Sequence, residues 1–310
     1  ITKLLEVLRV FDVRVMIMSA TIPESAKDLY GIEHVIDPYT SIQAKRNIKA
    51  LEEANRKRCG IKIEGKIESI EEIDDVLMSI LEEPIPRAII YANTVSRALE
   101  YLDWFKGRDI NPILYHSRFT EYDKKRIERD LIDALGKKAW GNNNASGIAI
   151  LTQIGEMSLN ISAPFMISDL CPMDRLAQRV GRLSRFEGMA PGVVHIVTPI
   201  KEGEIYPAPY GSFDRENKNW IPAEAFIKTE EILEEKAYSA QDFVDAVNHL
   251  YPEQTPFSDR ATLNKMALNE HLSRNWLVLP KAESEDENFE TPEWLSRDIP
   301  PQRTVFTASP

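Results

Sequence analysis

Residues 178–185 read Gln-Arg-Val-Gly-Arg-Leu-Ser-Arg and follow an arginine at 175. At the 100° per residue of a helix, Arg175, Gln178, Arg179, Arg182 and Arg185 fall within about a third of the circumference, while Leu176, Val180 and Leu183 fill a separate arc. Four guanidiniums side by side repel one another unless an anion or carboxylates neutralise them. A rigid fork of N–H donors also suits phosphate oxygens two at a time. The spacing therefore predicts a helix from Met173 to Leu183 that packs by one face and meets phosphate with the other, with Gly181 allowing close approach. A solvated basic face is the alternative.

Four more polar groups follow short apolar runs. Ser19 and Thr21 come after Val13 to Met18 and before Pro23, where two hydroxyls either relay hydrogen bonds between sites or form an ordinary turn into a Pro-started helix. Thr152, Gln153, Glu156 and Ser158 follow a run ending at Leu151; they either touch a sugar-phosphate chain or cap a helix. Asn93 and Thr94 follow Ala92, and His116, Ser117 and Arg118 follow Tyr115. Tyr91, Tyr101, Trp104, Tyr115 and Tyr122 offer rings that stack on bases or belong to the core. None of the five histidines is followed by Asp.

These groups share an edge if the runs before them are strands of one parallel sheet. Arg87 to Ala92, Pro112 to Tyr115, Gly147 to Thr152, Phe165 to Asp169 and Val193 to Val197 read as strands, the last of them closing the sheet. Val95 to Phe105 and Tyr122 to Leu135 read as helices between them. Upstream, Val13 to Met18 and Ile61 to Ile63 read as strands and Ile70 to Leu81 as an acidic amphipathic helix. The alternation predicts an α/β fold with a parallel sheet covered by helices on both faces, where ligands collect at the carboxyl ends of the strands. Ten of the nineteen prolines lie beyond residue 200, which predicts a linker over 201–222 and a mostly helical carboxyl-terminal appendage over 223–310.

Charge is divided the same way. Residues 1–200 carry 27 Lys and Arg against 28 Asp and Glu, whereas 201–310 carry 11 against 21, so the net charge of −11 sits almost wholly in the last third. An acidic total therefore does not exclude contact with nucleic acid, which depends on local basic surface. Cys59 and Cys171 are too far apart in sequence for a CxxC zinc or redox site and fit a reducing, cytoplasmic setting. No apolar run reaches the ~18 residues of a membrane span, and no signal peptide is evident. The first residue is not Met and the chain opens inside a helical pattern, which predicts the tail of an earlier domain over 1–40.

In order and spacing, Met18-Ser-Ala-Thr-Ile-Pro23, Tyr91-Ala-Asn-Thr94, His116-Ser-Arg118, Thr152-Gln-Ile-Gly-Glu-Met-Ser-Leu159 and Gln178 to Arg185 resemble the later motifs of superfamily 2 helicases. The Thr152 segment, followed by Asp169-Leu-Cys-Pro-Met-Asp174 and the arginine motif, is similar to the CRISPR-associated helicase of type I interference systems. The resemblance covers about residues 10 to 200. It implies a motor of two RecA-like domains, the second over 41–200, with ATP and Mg2+ between them, moving 3′ to 5′ on single-stranded DNA marked by an RNA-guided surveillance complex. By that resemblance Gln178, Arg179, Arg182 and Arg185 sense phosphate, with Arg182 and Arg185 as arginine-finger candidates. Ser19 and Thr21 would couple hydrolysis to strand movement, and Asn93, Thr94, His116, Arg118, Thr152, Gln153 and Glu156 would lie along the nucleic acid.

Two departures from the pattern stand out. Asn160 occupies a position where Asp is usual in the family. The chain also has no Gly-x-x-x-x-Gly-Lys-Ser/Thr phosphate loop and no Asp-Glu-x-His motif, so Mg-ATP would be held mainly by an amino-terminal part outside this sequence, as would the family's nuclease module. Another superfamily 2 DNA or RNA helicase, or a nonhydrolysing nucleic-acid-binding module, are the alternative readings.

Overall fold

A computed structural model describes residues 2–17, 22–32, 34, 48–156, 159–253 and single positions between 262 and 270. The chain divides into two compact units, one of residues 1–17 with 253–310 and one of residues 18–252. In the first, helix α1 (Thr2–Val10) is followed by residues 13–17 in no regular structure, with Val13, Val15 and Met16 exposed. The strand expected over Val13 to Met18 is not formed over 13–17. Met18, Ser19 and Thr21 lie outside the described residues.

The second unit holds the rest: α2 (Glu24–Tyr30), α3 (Ile48–Asn55), β1 (Cys59–Ile67), α4 (Asp74–Glu82), β2 (Arg87–Tyr91), α5 (Val95–Lys106), β3 (Ile113–Tyr115), α6 (Glu121–Leu135), α7 (Lys137–Gly141), β4 (Gly147–Leu151), β5 (Phe165–Asp169), α8 (Met173–Val180), β6 (Gly192–Lys201), β7 (Glu204–Ile205), β8 (Gly211–Asp214), β9 (Asn219–Pro222), α9 (Glu224–Ile232), β10 (Ala237–Tyr238) and α10 (Ala240–Leu250). The main sheet runs β10-β1-β6-β5-β2-β4-β3, with β7 pairing β6 and with β8 and β9 forming a separate hairpin. From β1 to β3 every neighbouring pair is parallel. The strand expected to close the sheet, β6, lies inside it between β1 and β5.

The apolar runs in β2, β4 and β5 are continuous because the sheet is buried on both faces. Ile89, Tyr91, Ala149, Leu151 and Met166 face α6, α8, α9 and α10 through Leu131, Leu176, Phe226 and Val247. Their alternates Ala88, Ile90, Ile148, Ile150 and Ile167 face α4 and α5 through Leu77, Tyr101 and Phe105. The period of two in each strand thus places successive side chains in two separate cores. The acidic helix expected over 70–81 is a 3₁₀ turn (Ile70–Ile73) with a Ser69 capping box, followed by α4.

Two expectations are corrected. The helix does not reach Leu183: it stops at Val180, and Leu183 pairs with Ala163, the Ser184 N–H donating to the Ala163 carbonyl at 2.9 Å. The segment 201–222 is not a bare linker but the end of β6, β7 and the β8–β9 hairpin. In residues 223–252, Phe226, Phe243, Val247 and Leu250 of α9 and α10 are part of the core over β2 and β4. Helix α2 lies in the unit of residues 18–252, its Glu24 N–H donating to Asn248 Oδ1 at 3.0 Å and its Ser25 hydroxyl to the Tyr251 carbonyl at 2.7 Å. Among the described residues no helix is long and apolar enough to cross a membrane.

Candidate functional site

Strands β5, β2, β4 and β3 are consecutive and parallel, so the turns after Asp169, Tyr91, Leu151 and Tyr115 emerge at one edge. Arg179 reaches back from α8 to that edge and is fully buried. Its Nε donates to Glu156 Oε1 at 2.9 Å, its Nη1 to Ser168 Oγ at 3.0 Å and the Asp169 carbonyl at 2.9 Å, and its Nη2 to Asn93 Oδ1 and the Tyr210 hydroxyl, both at 3.0 Å. The Tyr91 ring lies under the guanidinium at 5.2 Å. Burial works against the cation, but Cys171, Tyr210 and Glu156 outweigh it and hold its pKa above the ordinary guanidinium value.

Asn93 is the second junction. Its N–H donates to Asp169 Oδ2 at 2.8 Å, its Nδ2 to the Leu170 carbonyl at 2.7 Å, and its own carbonyl accepts Gln153 Nε2 at 2.5 Å. Asp169 is wholly buried; burial raises its pKa, while Arg97, 3.7 Å away, and the Asn93 N–H oppose the rise. Arg182, 5% exposed, donates to the Glu156 carbonyl and the Gln178 carbonyl, both at 2.7 Å. Asn93, Gln153, Glu156, Arg179 and Arg182, with Ser168 and Asp169, therefore belong to one hydrogen-bonded network drawn from the ends of β2, β4 and β5, from α8 and from the turn after it.

The predicted basic stripe is not a stripe. Arg179 and Arg182 turn inward, Gln178 is half-buried, and Arg175 and Arg185 are exposed. Helical periodicity places Arg179 on the polar arc, yet the carboxylates and carbonyls at the strand ends draw it into the interior. Arg185 is exposed and among the described residues its guanidinium has no partner, while its N–H donates to Ser162 Oγ at 2.8 Å. Partial burial, then the nearby Arg182, lower its pKa.

The remaining sites divide between structural and open roles. Thr94 caps α5 by accepting the Arg97 N–H at 3.2 Å. His116 is buried, stacks on Phe119 at 4.2 Å and accepts the Arg118 N–H on Nδ1 at 3.2 Å; burial and Arg118 lower its pKa, so it stays neutral near pH 7. Thr152 is buried, its N–H donating to the Tyr115 carbonyl at 3.2 Å, whereas Arg118 and Asn160 are exposed. Ser19 and Thr21 fall outside the described residues. Tyr91, Tyr101 and Tyr115 belong to the cores, while Tyr122 is exposed. Sequence reasoning missed Tyr210, which lies 31 residues beyond Arg179, and read Asp169 only as a strand end.

Gly155 sets the position of the 3₁₀ turn Gln153–Glu156, which carries two of these groups. A Cβ at Gly155 would lie 2.8 Å from Leu151 Cβ and 2.9 Å from its Cδ1, inside any tolerable contact. Gly155→Ala is expected to cost about 1–3 kcal/mol by overpacking. A Cβ at Gly141 meets nothing within 4 Å, so Gly141→Ala is expected to be neutral or slightly stabilising. Urea midpoints of the two variants check both; equal midpoints would mean that Leu151 gives way freely.

Among the described residues no cluster of His, Cys, Asp and Glu could hold a metal ion, and Glu156 and Asp169 already face Arg179 and Arg97.

Residues 86–188 match the family model described as CRISPR-associated nuclease/helicase Cas3, C-terminal. The putative CRISPR-associated nuclease/helicase Cas3 of Myxococcus xanthus is 36% identical over 121 residues, which is 38% of this chain and 15% of that protein. In fold, 71% of the chain is similar to 27% of T. fusca Cas3 in a crystal structure with ATP, at a TM-score of 0.51 and 22% identity. It is similar as well to 28% of a chain in a CRISPR RNA-guided surveillance complex in a pre-nicking state, again over 71% of this chain, at a TM-score of 0.50 and 22% identity. The chain thus spans under a third of each of these proteins. Residues 86–188 are thus similar to the carboxyl-terminal part of CRISPR-associated nuclease/helicase Cas3, and the mostly parallel sheet shares the fold of T. fusca Cas3.

Proposed function

We propose that the chain is the carboxyl part of an ATP-dependent motor that moves 3′ to 5′ on single-stranded DNA and unwinds target DNA in type I CRISPR interference. The observation that carries the reading is the convergence of Asn93, Gln153, Glu156, Arg179 and Arg182 on one network beside the exposed Arg118 and Arg185. A buried, fully bonded guanidinium makes that strand edge rigid, and a rigid edge presents an unpartnered cation to charge developing on a transferred phosphoryl group. Arg185 takes that role. Thr94 and Arg118 lie at the mouths of β2 and β3, where a sugar-phosphate backbone would run and shift as the cleft closes.

ATP is supported by the fold shared with the T. fusca Cas3-ATP structure, and an RNA-guided surveillance partner by the pre-nicking complex. The phosphate loop, the carboxylate that holds Mg2+ and the nuclease module would come from the amino-terminal part of the protein. When bound, Mg2+ supplies charge neutralisation on the phosphates. The setting is the prokaryotic cytoplasm.

The reading is tested on the whole protein by steady-state ATP hydrolysis with single-stranded DNA, with RNA and with neither. Stimulation at least tenfold greater with DNA than with RNA is the expected result. Equal stimulation by RNA would favour another superfamily 2 helicase. Binding of DNA without hydrolysis would leave a nonhydrolysing module.

A further inference from the structure

Tyr210 lies outside every motif that the sequence reading singled out, yet its hydroxyl sits inside the arginine network. It accepts from Arg179 Nη2 at 3.0 Å and donates to Glu156 Oε1 at 3.3 Å, so one O–H bridges both members of the buried ion pair. Burial, the largest effect, pushes the phenol's pKa up, so the group stays a neutral donor.

The same residue closes the base of the β8–β9 hairpin. Its carbonyl accepts the Ala223 N–H at 3.1 Å, immediately after β9, and β8 begins at the next residue, Gly211. Beside the ring, Pro172, Asp174 and Arg175 on one side and Ile221 and Pro222 on the other line an open recess of about 440 Å³. The ring packs on the core by its other side, while towards the recess the hydroxyl's bonds to Arg179 and Glu156 help to hold it. The backbone carbonyl of Glu156 itself holds Arg182, so a shift of Tyr210 reaches both arginines.

We propose that Tyr210 is a positioning residue: its hydroxyl holds the Arg179–Glu156 pair in register and ties the arginine motif to the β8–β9 hairpin. The proposal rests on the motor reading above. A hydrogen bond to charged groups in a buried network is worth about one factor of ten in rate when the geometry it holds is that of the reacting site. Tyr210→Phe keeps the ring and removes only the hydroxyl. In the whole protein it is expected to lower kcat for DNA-stimulated ATP hydrolysis about tenfold, with KM for ATP within twofold.

Tyr210→Ala provides the contrast. If Phe restores the wild-type kcat lost on truncation to Ala, the ring acts by packing alone and the proposal is overturned. Should the Phe variant not fold, Glu156→Gln removes the charge that accepts the same hydroxyl and must show the same fall in kcat at unchanged KM; an unchanged kcat overturns the proposal. If the unmodified protein shows no DNA-stimulated hydrolysis, the motor reading fails instead, which is a separate result.

Discussion

Arg179→Met is expected to destabilise the protein by about 3–5 kcal/mol, the cost of removing one partner of a buried ion pair and leaving the other charge uncompensated. Glu156, 5% exposed, would lose the Arg179 Nε donor, and Ser168 Oγ, the Asp169 carbonyl and Asn93 Oδ1 would each lose a donor as well. Methionine replaces the stem in volume, so cavity formation contributes little and the loss reports the electrostatics. Adding Glu156→Gln should recover part of it, because the stranded carboxylate is then gone. Arg179→Lys should fall between the two, since one ammonium cannot meet acceptors that a planar fork meets together. Urea midpoints of the four proteins measure these differences. A loss under about 1 kcal/mol in Arg179→Met, with no recovery in the double variant, would show that water replaces the guanidinium without cost.

That burial revises what the arginine motif does. Four guanidiniums on one exposed face would require an anion to hold them together, whereas two of the four, Arg179 and Arg182, are neutralised or bonded from inside the protein. In the proposed motor Arg185, whose guanidinium has no partner among the described residues, would then meet phosphate backed by a frame already bonded within the protein. Preorganisation of this kind costs folding stability and spares reorganisation at the moment of reaction. Asp169 shows the same arrangement on the other side of β2. It is buried, orients Asn93 through its backbone and is held by Arg97, which donates to the Glu68 carbonyl at 3.1 Å.

Much of this was legible in the residue pattern, for identifiable reasons. Arg87 to Tyr91, Gly147 to Leu151 and Phe165 to Asp169 are apolar on both alternations, which only a doubly covered strand requires. Polar residues after each run then had to meet at one edge, and Asn93 and Gln153 do. The end of α8 was not legible. Apolar spacing continues through Leu183, but the chain leaves the helix to bridge Ala163, a contact between residues 20 positions apart that periodicity does not encode. The inward turn of Arg179 escaped for a related reason: a helical wheel assigns charge to solvent, and only the carboxylate of Glu156 across the turn signals otherwise. Nor does any local pattern connect Tyr210 to the arginine motif, because the hairpin that brings it back was read as a linker.

Arg185→Ala is expected to lower DNA-stimulated ATP hydrolysis by ~10³-fold or more, the effect of removing a guanidinium that stabilises charge on the transferred phosphoryl group. Because the side chain is exposed and has no partner among the described residues, folding stability should change by no more than about 0.5 kcal/mol. Arg185→Lys should restore little activity, since a point charge does not reproduce the fork. Arg182→Ala separates the two finger candidates: its guanidinium is committed to the Gln178 and Glu156 carbonyls, so activity and stability should fall together. Hydrolysis rates and urea midpoints, measured on the same preparations of the whole protein, provide the comparison. If Arg185→Ala keeps its rate within threefold while Arg182→Ala loses its own without losing stability, the buried arginine is the finger and the network must open before the chemistry occurs.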